Sequence, residues 1–144
     1  KESLVAEAIR TSNASGKTIL LIEDSATQAL HLKLLLEQEG LKVAWASAGQ
    51  MGLKMARQLH PDLILLDVQM PDMNGFQVCQ RLKGAKDTAS IPVIMLTRFD
   101  DPETVKLGMQ LGVTDYIPKD AFADAVLLET LRQMGVIEGE ASGA

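Results

Sequence analysis

Five short apolar runs recur along the chain, at Thr18 to Ile22, Lys42 to Ala46, Leu63 to Leu66, Ile91 to Leu96 and Thr114 to Ile117, and segments with helical spacing separate them. This alternation constrains the fold more than any other feature of the sequence. Strands buried on both faces read as continuous apolar runs, and strands joined through helices pair in parallel by right-handed crossovers. The expected architecture is therefore α/β: a five-stranded parallel sheet, doubly wound by five helices. For a single domain within 144 residues the flavodoxin-like order 2-1-3-4-5 is the best fit.

Helix punctuation agrees with this division. The first predicted helix carries Ala29, Leu30, Lys33 and Leu34 to Leu36 and stops at Gly40; the second carries Leu53, Ala56 and Leu59 and stops before Pro61. Ser47 with Gln50 resembles a capping box for that second helix. Further helices are expected over 74–83, 101–111 and 123–134, with Asp100 or Asp101, Pro102 and Glu103 marking the start of the fourth. Residues 1–16 are expected to be an extension, with a short amphipathic helix (Leu4, Val5, Ala8, Ile9) and a polar linker. Residues 17–137 form the domain and 138–144 a flexible tail.

Composition narrows the function. Nineteen acidic against fourteen basic residues give a net charge of −5, which opposes binding to a nucleic-acid backbone. A single cysteine excludes an internal disulfide, and no apolar run approaches the ~20 residues of a membrane helix. No secretory leader is visible, so a cytoplasmic protein is expected. The chain opens on Lys1 instead of Met, which suggests trimming or a piece of a longer protein.

In a parallel sheet the carboxyl ends of the strands share one rim, where ligands bind. Glu23 and Asp24 follow the first run, Asp67 the third, Thr97 the fourth and Lys119 the fifth. Converging carboxylates repel one another unless a cation neutralises them, and Mg2+, a hard oxygen-seeking ion that keeps sites open for phosphate oxygens, is the simplest choice. Lys119 then supplies a positive charge and Thr97 a hydroxyl donor for a phosphoryl group, and Asp67 is the natural nucleophile. Asp24 has an alternative use as a helix cap, whereas no helix starts close enough behind Asp67 to need one.

Several segments together carry a resemblance to a known family. "ILLIEDS", "PDLILLDVQMPDMNGF", "VIMLT" and "DYIPK", with 30 residues from Asp67 to Thr97 and 22 from Thr97 to Lys119, resemble the receiver domain of bacterial two-component response regulators from about Lys17 to Val136, in a chemotaxis-regulator-like form. The resemblance implies that a histidine kinase or phosphotransfer protein phosphorylates Asp67. It also implies that Asp24, Asp67 and the backbone carbonyl of Gln69 bind Mg2+, with Glu23 acting through water, while Thr97 and Lys119 engage the phosphoryl group. Tyr116 falls where the family keeps a switching aromatic, and the output surface would comprise the fourth helix, fifth strand and fifth helix. Two departures stand out. Lys119 precedes Asp120 instead of proline, and a cis peptide there would cost about 3 kcal/mol. Arg98 follows Thr97 where a small residue is usual. Both are expected to modulate switching or dephosphorylation.

Other motifs are weaker. "SGKT" at Ser15 to Thr18 lacks the earlier glycine of a phosphate-binding loop, and a haloacid-dehalogenase-type phosphatase would need an acid at Gln69. His31 and His60 have no ligand partners at metal-binding spacing, and Cys79 lies on an apolar stripe with Gly75, Val78 and Leu82. The expected function is thus a phosphorylation-activated signalling switch, not an enzyme acting on a small molecule. Its output would go to a downstream protein, with no direct contact to nucleic acid or membrane. The alternative is a receiver-like module that docks its partner without phosphorylation. Surplus apolar residues in the last helix (Ala123, Ala125, Val126, Leu127, Leu128, Leu131) suggest a homodimer or partner surface.

Overall fold

The computed structural model describes residues 16–98 and 102–139; the helix expected over residues 1–10, most of the linker, Asp100, Asp101 and the end of the tail lie outside the described residues. Strands β1 (Thr18–Ile22), β2 (Lys42–Ala46), β3 (Leu63–Asp67), β4 (Val93–Thr97) and β5 (Asp115–Pro118) alternate with helices α1 (Ala26–Glu37), α2 (Gly49–Leu59), α3 (Gly75–Gly84), α4 (Pro102–Gln110) and α5 (Ala123–Gln133). All four strand pairings are parallel, in the order β2-β1-β3-β4-β5 expected from the sequence.

Successive side chains of a strand point to opposite faces, so the continuous apolar runs build two cores at once. Leu20, Ile22, Ile64, Leu66 and Met95 pack with Leu53 and Ala56 of α2 and Val78, Cys79 and Leu82 of α3. Ile19, Leu21, Leu63, Leu65, Ile94, Leu96 and Ile117 pack with Ala29, Leu32 and Leu36 of α1 and Leu127 and Leu131 of α5. Cys79 is thus the buried small hydrophobe its stripe suggested, and burial pushes its thiol pKa up.

Three details differ from the sequence reading. β4 starts at Val93 because Ile91 is still held in the preceding turn, its N–H donating to Thr88 O. Asp24 is not a helix cap; Ser25 is, its Oγ accepting from Gln28 N–H at 3.3 Å. The Ser47–Gln50 capping box does not form. Ala48 occupies the N-cap of α2 with no side-chain bond, and the remote carboxylate of Asp72 accepts from Gly49 N–H and Gln50 N–H, both at 2.9 Å. A capping box does form one helix later, where Asn74 and Gln77 bond each other's backbone at the start of α3. The last helix closes in a Schellman turn: Gly135, at φ +75°, lets Val136 N–H reach Leu131 O at 2.9 Å and Gly135 N–H reach Arg132 O at 3.0 Å.

Candidate functional site

Because every strand runs the same way, the residues that end β1, β3, β4 and β5 meet at one rim. Glu23, Asp24 and Asp67 come together there, with one carboxylate oxygen from each lying within 4.8 Å of the others. Glu23 is 2% exposed and Asp67 is also buried, whereas Asp24 is exposed. Lys119, just past β5, extends its ammonium between the two buried acids, 3.1 Å from Glu23 Oε1 and 3.2 Å from Asp67 Oδ2. Gln69 N–H donates to Asp67 Oδ1 at 3.3 Å, and Ser25 N–H to Glu23 Oε2 at 3.1 Å. A cleft of about 180 Å³ opens over this group, lined by the three acids, Gln69, Arg98 and Lys119 among others.

Two buried carboxylates share one lysine, and the balance of charge shows in Glu23. Loss of solvent, then the charge of Asp67, push its pKa up to about 7 against the opposing pull of Ser25 N–H and Lys119. The donor set is all oxygen and includes an exposed acid, which suits a divalent hard cation that keeps part of its water shell.

The other sequence-selected residues take more varied positions. Thr97 ends β4 but is fully buried and does not line the cleft; its backbone carbonyl accepts Lys119 N–H at 2.7 Å, so the two are tied through the main chain. Tyr116 is 9% exposed and packs in the core against Gly108 of α4, where a Cβ would meet its ring at 3.0 Å. The Lys119–Asp120 peptide is trans. Asp120 bonds locally: its Oδ1 accepts Phe122 N–H at 2.8 Å at the approach to α5. Arg98 is exposed and lines both the acidic cleft and a neighbouring cavity of about 360 Å³. That cavity lies between α1 and α5, which His31 and Asp124 join at 2.6 Å.

Two supporting residues were not singled out from the sequence. Gly75 opens α3 directly against the carboxyl end of β3, where a Cβ would lie 2.5 Å from the carbonyl oxygen of Asp67 and 2.8 Å from Val68 Cα. The glycine of "MNGF" is the only trace of this in the sequence. Trp45 of β2 donates its indole N–H to the backbone carbonyl of Glu23 at 2.6 Å, a contact that no local pattern announces.

The family model described as the response regulator receiver domain matches residues 19–132. The chain belongs to that family. Receiver domains are the phosphoacceptor switches of two-component signalling. This receiver is 37% identical over 109 residues to the protein PilH of Pseudomonas aeruginosa, covering 76% of this chain and 90% of PilH. It is 41% identical over 102 residues to the transcriptional regulatory protein AfsQ1 of Streptomyces coelicolor, covering 71% of this chain but only 44% of AfsQ1. Among solved structures, the receiver domain of the sensor histidine kinase PA1611 from Pseudomonas aeruginosa, with a magnesium ion coordinated in its active-site cleft, matches with a TM-score of 0.74. It is 25% identical and covers 81% of this chain and 95% of that one. Among the described residues, no helix is long and apolar enough to cross a membrane.

Proposed function

We propose that this receiver, over residues 17–137, accepts a phosphoryl group on Asp67 from a histidine kinase or histidine phosphotransfer protein and signals by a change in protein contacts. The observation that carries this reading is the placement of Lys119 Nζ against Asp67 Oδ2 and Glu23 Oε1 with Asp24 alongside. In the transfer, an Asp67 oxygen attacks phosphorus in line, the P–N bond of the donor histidine breaks, and an acyl phosphate forms on Asp67. Lys119, with its Nζ 3.2 Å from Asp67 Oδ2, stands within reach of a phosphoryl oxygen carried on that carboxylate. Asp24, Asp67 and the backbone carbonyl of Gln69, with Glu23 through water, would hold Mg2+, which when bound neutralises charge on the transferring oxygens. The magnesium ion coordinated in the active-site cleft of the PA1611 receiver domain supports a divalent cation at this site. Thr97 and Tyr116 are the switching pair, with the hydroxyl leaving its buried position for the phosphoryl group.

The receiver is then a phosphoacceptor with only self-phosphorylation and slow self-dephosphorylation of its own, working in the cytoplasm. Arg98, at the mouth of the cleft, and Asp120 modulate access. Output runs through α4, β5 and α5, which expose Leu107, Met109, Phe122 and Val126 to a downstream protein or a second copy, without direct contact to DNA or membrane.

The test is intact-protein mass after exposure to a small acyl phosphate with Mg2+, for the native chain and Asp67→Asn. A Mg2+-dependent gain of one phosphoryl group in the native chain alone is the expected result. No gain from that donor or from a phosphorylated histidine domain, with Mg2+ binding intact, would leave the constitutive docking module in its place.

A further inference from the structure

Asp24 and Asp67 must sit at a fixed separation if one cation is to bridge them, yet their supports are unequal. Asp67 is buried at the end of a central strand and held by Gln69 N–H and Lys119. Asp24 is exposed, and among the described residues its carboxylate has no hydrogen-bond donor or cation of its own. Its position therefore depends on the backbone that delivers it. The β1–β2 ladder ends at the pair Ile22 and Ala46, and Glu23 N–H still reaches Ala46 O at 3.0 Å. Beyond that rung no backbone N–H among the described residues reaches the Glu23 carbonyl, and the indole N–H of Trp45 takes it at 2.6 Å.

We propose that Trp45 is a positioning residue for the acidic site, pinning the Glu23–Asp24 peptide so that the carboxylate of Asp24 is presented to a cation shared with Asp67. The Glu23–Asp24 peptide is planar, so fixing its oxygen fixes the nitrogen and Cα of Asp24 as well. On the far side Ser25 is held by its N–H to Glu23 Oε2 and by its caps on α1, which leaves the Asp24 backbone anchored at both ends. An indole suits the task because it donates only: it holds the carbonyl without competing with the carboxylates for the cation. Trp45 also remains 39% exposed, so core packing does not account for it fully.

This inference rests on the reading that Asp24 and Asp67 bind Mg2+, and the experiment separates the two. Mg2+ is titrated calorimetrically into the native chain, Trp45→Phe, which keeps a ring but loses the N–H, and Val43→Ala, which loosens β2 packing alone. Without the indole N–H the Asp24 backbone must be ordered when the cation binds, a cost of about 1 kcal/mol, which predicts roughly fivefold weaker Mg2+ binding in Trp45→Phe and native affinity in Val43→Ala. Equal affinity in Trp45→Phe and the native chain, or an equal loss in Val43→Ala, overturns the proposal. If the native chain binds no Mg2+, the metal reading itself fails, and metal-free spectra decide the role of Trp45. An upfield move of the Glu23 13C carbonyl resonance and broadening at Asp24 in Trp45→Phe support it; unchanged resonances overturn it.

Discussion

Replacing Glu23 with Gln should change how the metal-free protein responds to pH, in a direction opposite to that of most carboxylates. Glu23 is almost fully buried, and its pKa rises from an ordinary 4.5 to about 7, chiefly through desolvation and then through the charge of Asp67. Between those values the folded state holds a proton that the unfolded chain has lost, so stability falls as pH rises. Each pH unit in that window removes about 1.4 kcal/mol, and the whole shift amounts to roughly 3 kcal/mol lost by the time pH passes the folded value. Glu23→Gln carries no such proton. The assay is urea unfolding in EDTA at intervals from pH 4.5 to 8, plotted as native minus Glu23→Gln stability, so that carboxylates remote from the site cancel. The difference should fall through pH 5 to 7 and then level off; a flat or rising difference would refute the assignment of a buried acid with a raised pKa.

Two further substitutions probe how the rim is built. Asp72→Ala removes both bonds that cap α2 and should lower stability by about 1 kcal/mol, seen as a lower urea midpoint at unchanged slope. Those bonds hold the Asp72 pKa below its ordinary value, so the native advantage is present at neutral pH and disappears as pH falls through the folded-state value. Gly75→Ala forces a methyl against the backbone of Asp67 and Val68, which has no flexible tip to yield, and should destabilise by about 1–3 kcal/mol. Amide resonances of Asp67 to Gln69 should move in that variant, whereas a normal spectrum and midpoint would show that the loop accommodates the methyl freely.

The strands were legible because both faces of a central parallel strand are covered, which leaves Leu63 to Leu66 wholly apolar and buried. The gathering of acids at one rim followed from strands that all run one way, whereas the order 2-1-3-4-5 rested on domain size and strand count and on no residue pattern. Contacts between residues distant in sequence were not legible. Asp72 caps a helix that starts 23 positions earlier, and no local pattern separates this from the rejected Ser47–Gln50 box. The reach of Trp45 to Glu23, the His31–Asp124 pair and the burial of Thr97 below the cleft likewise depend on how the layers pack. Asp120 was grouped with the site by its neighbour Lys119, but a free N–H at Phe122 claims its carboxylate.

The two margins of the sheet differ from its centre in a way that bears on what could pair with it. β2 shows Lys42 and Trp45 to solvent, with the indole already bonded inward, and β5 ends in Pro118, which has no N–H to offer. Neither border is a smooth template on which a foreign strand could zip, so lateral growth into a continuous sheet is disfavoured on both sides. The helix-covered faces remain as the surfaces that a second chain could cover without adding a strand to the sheet.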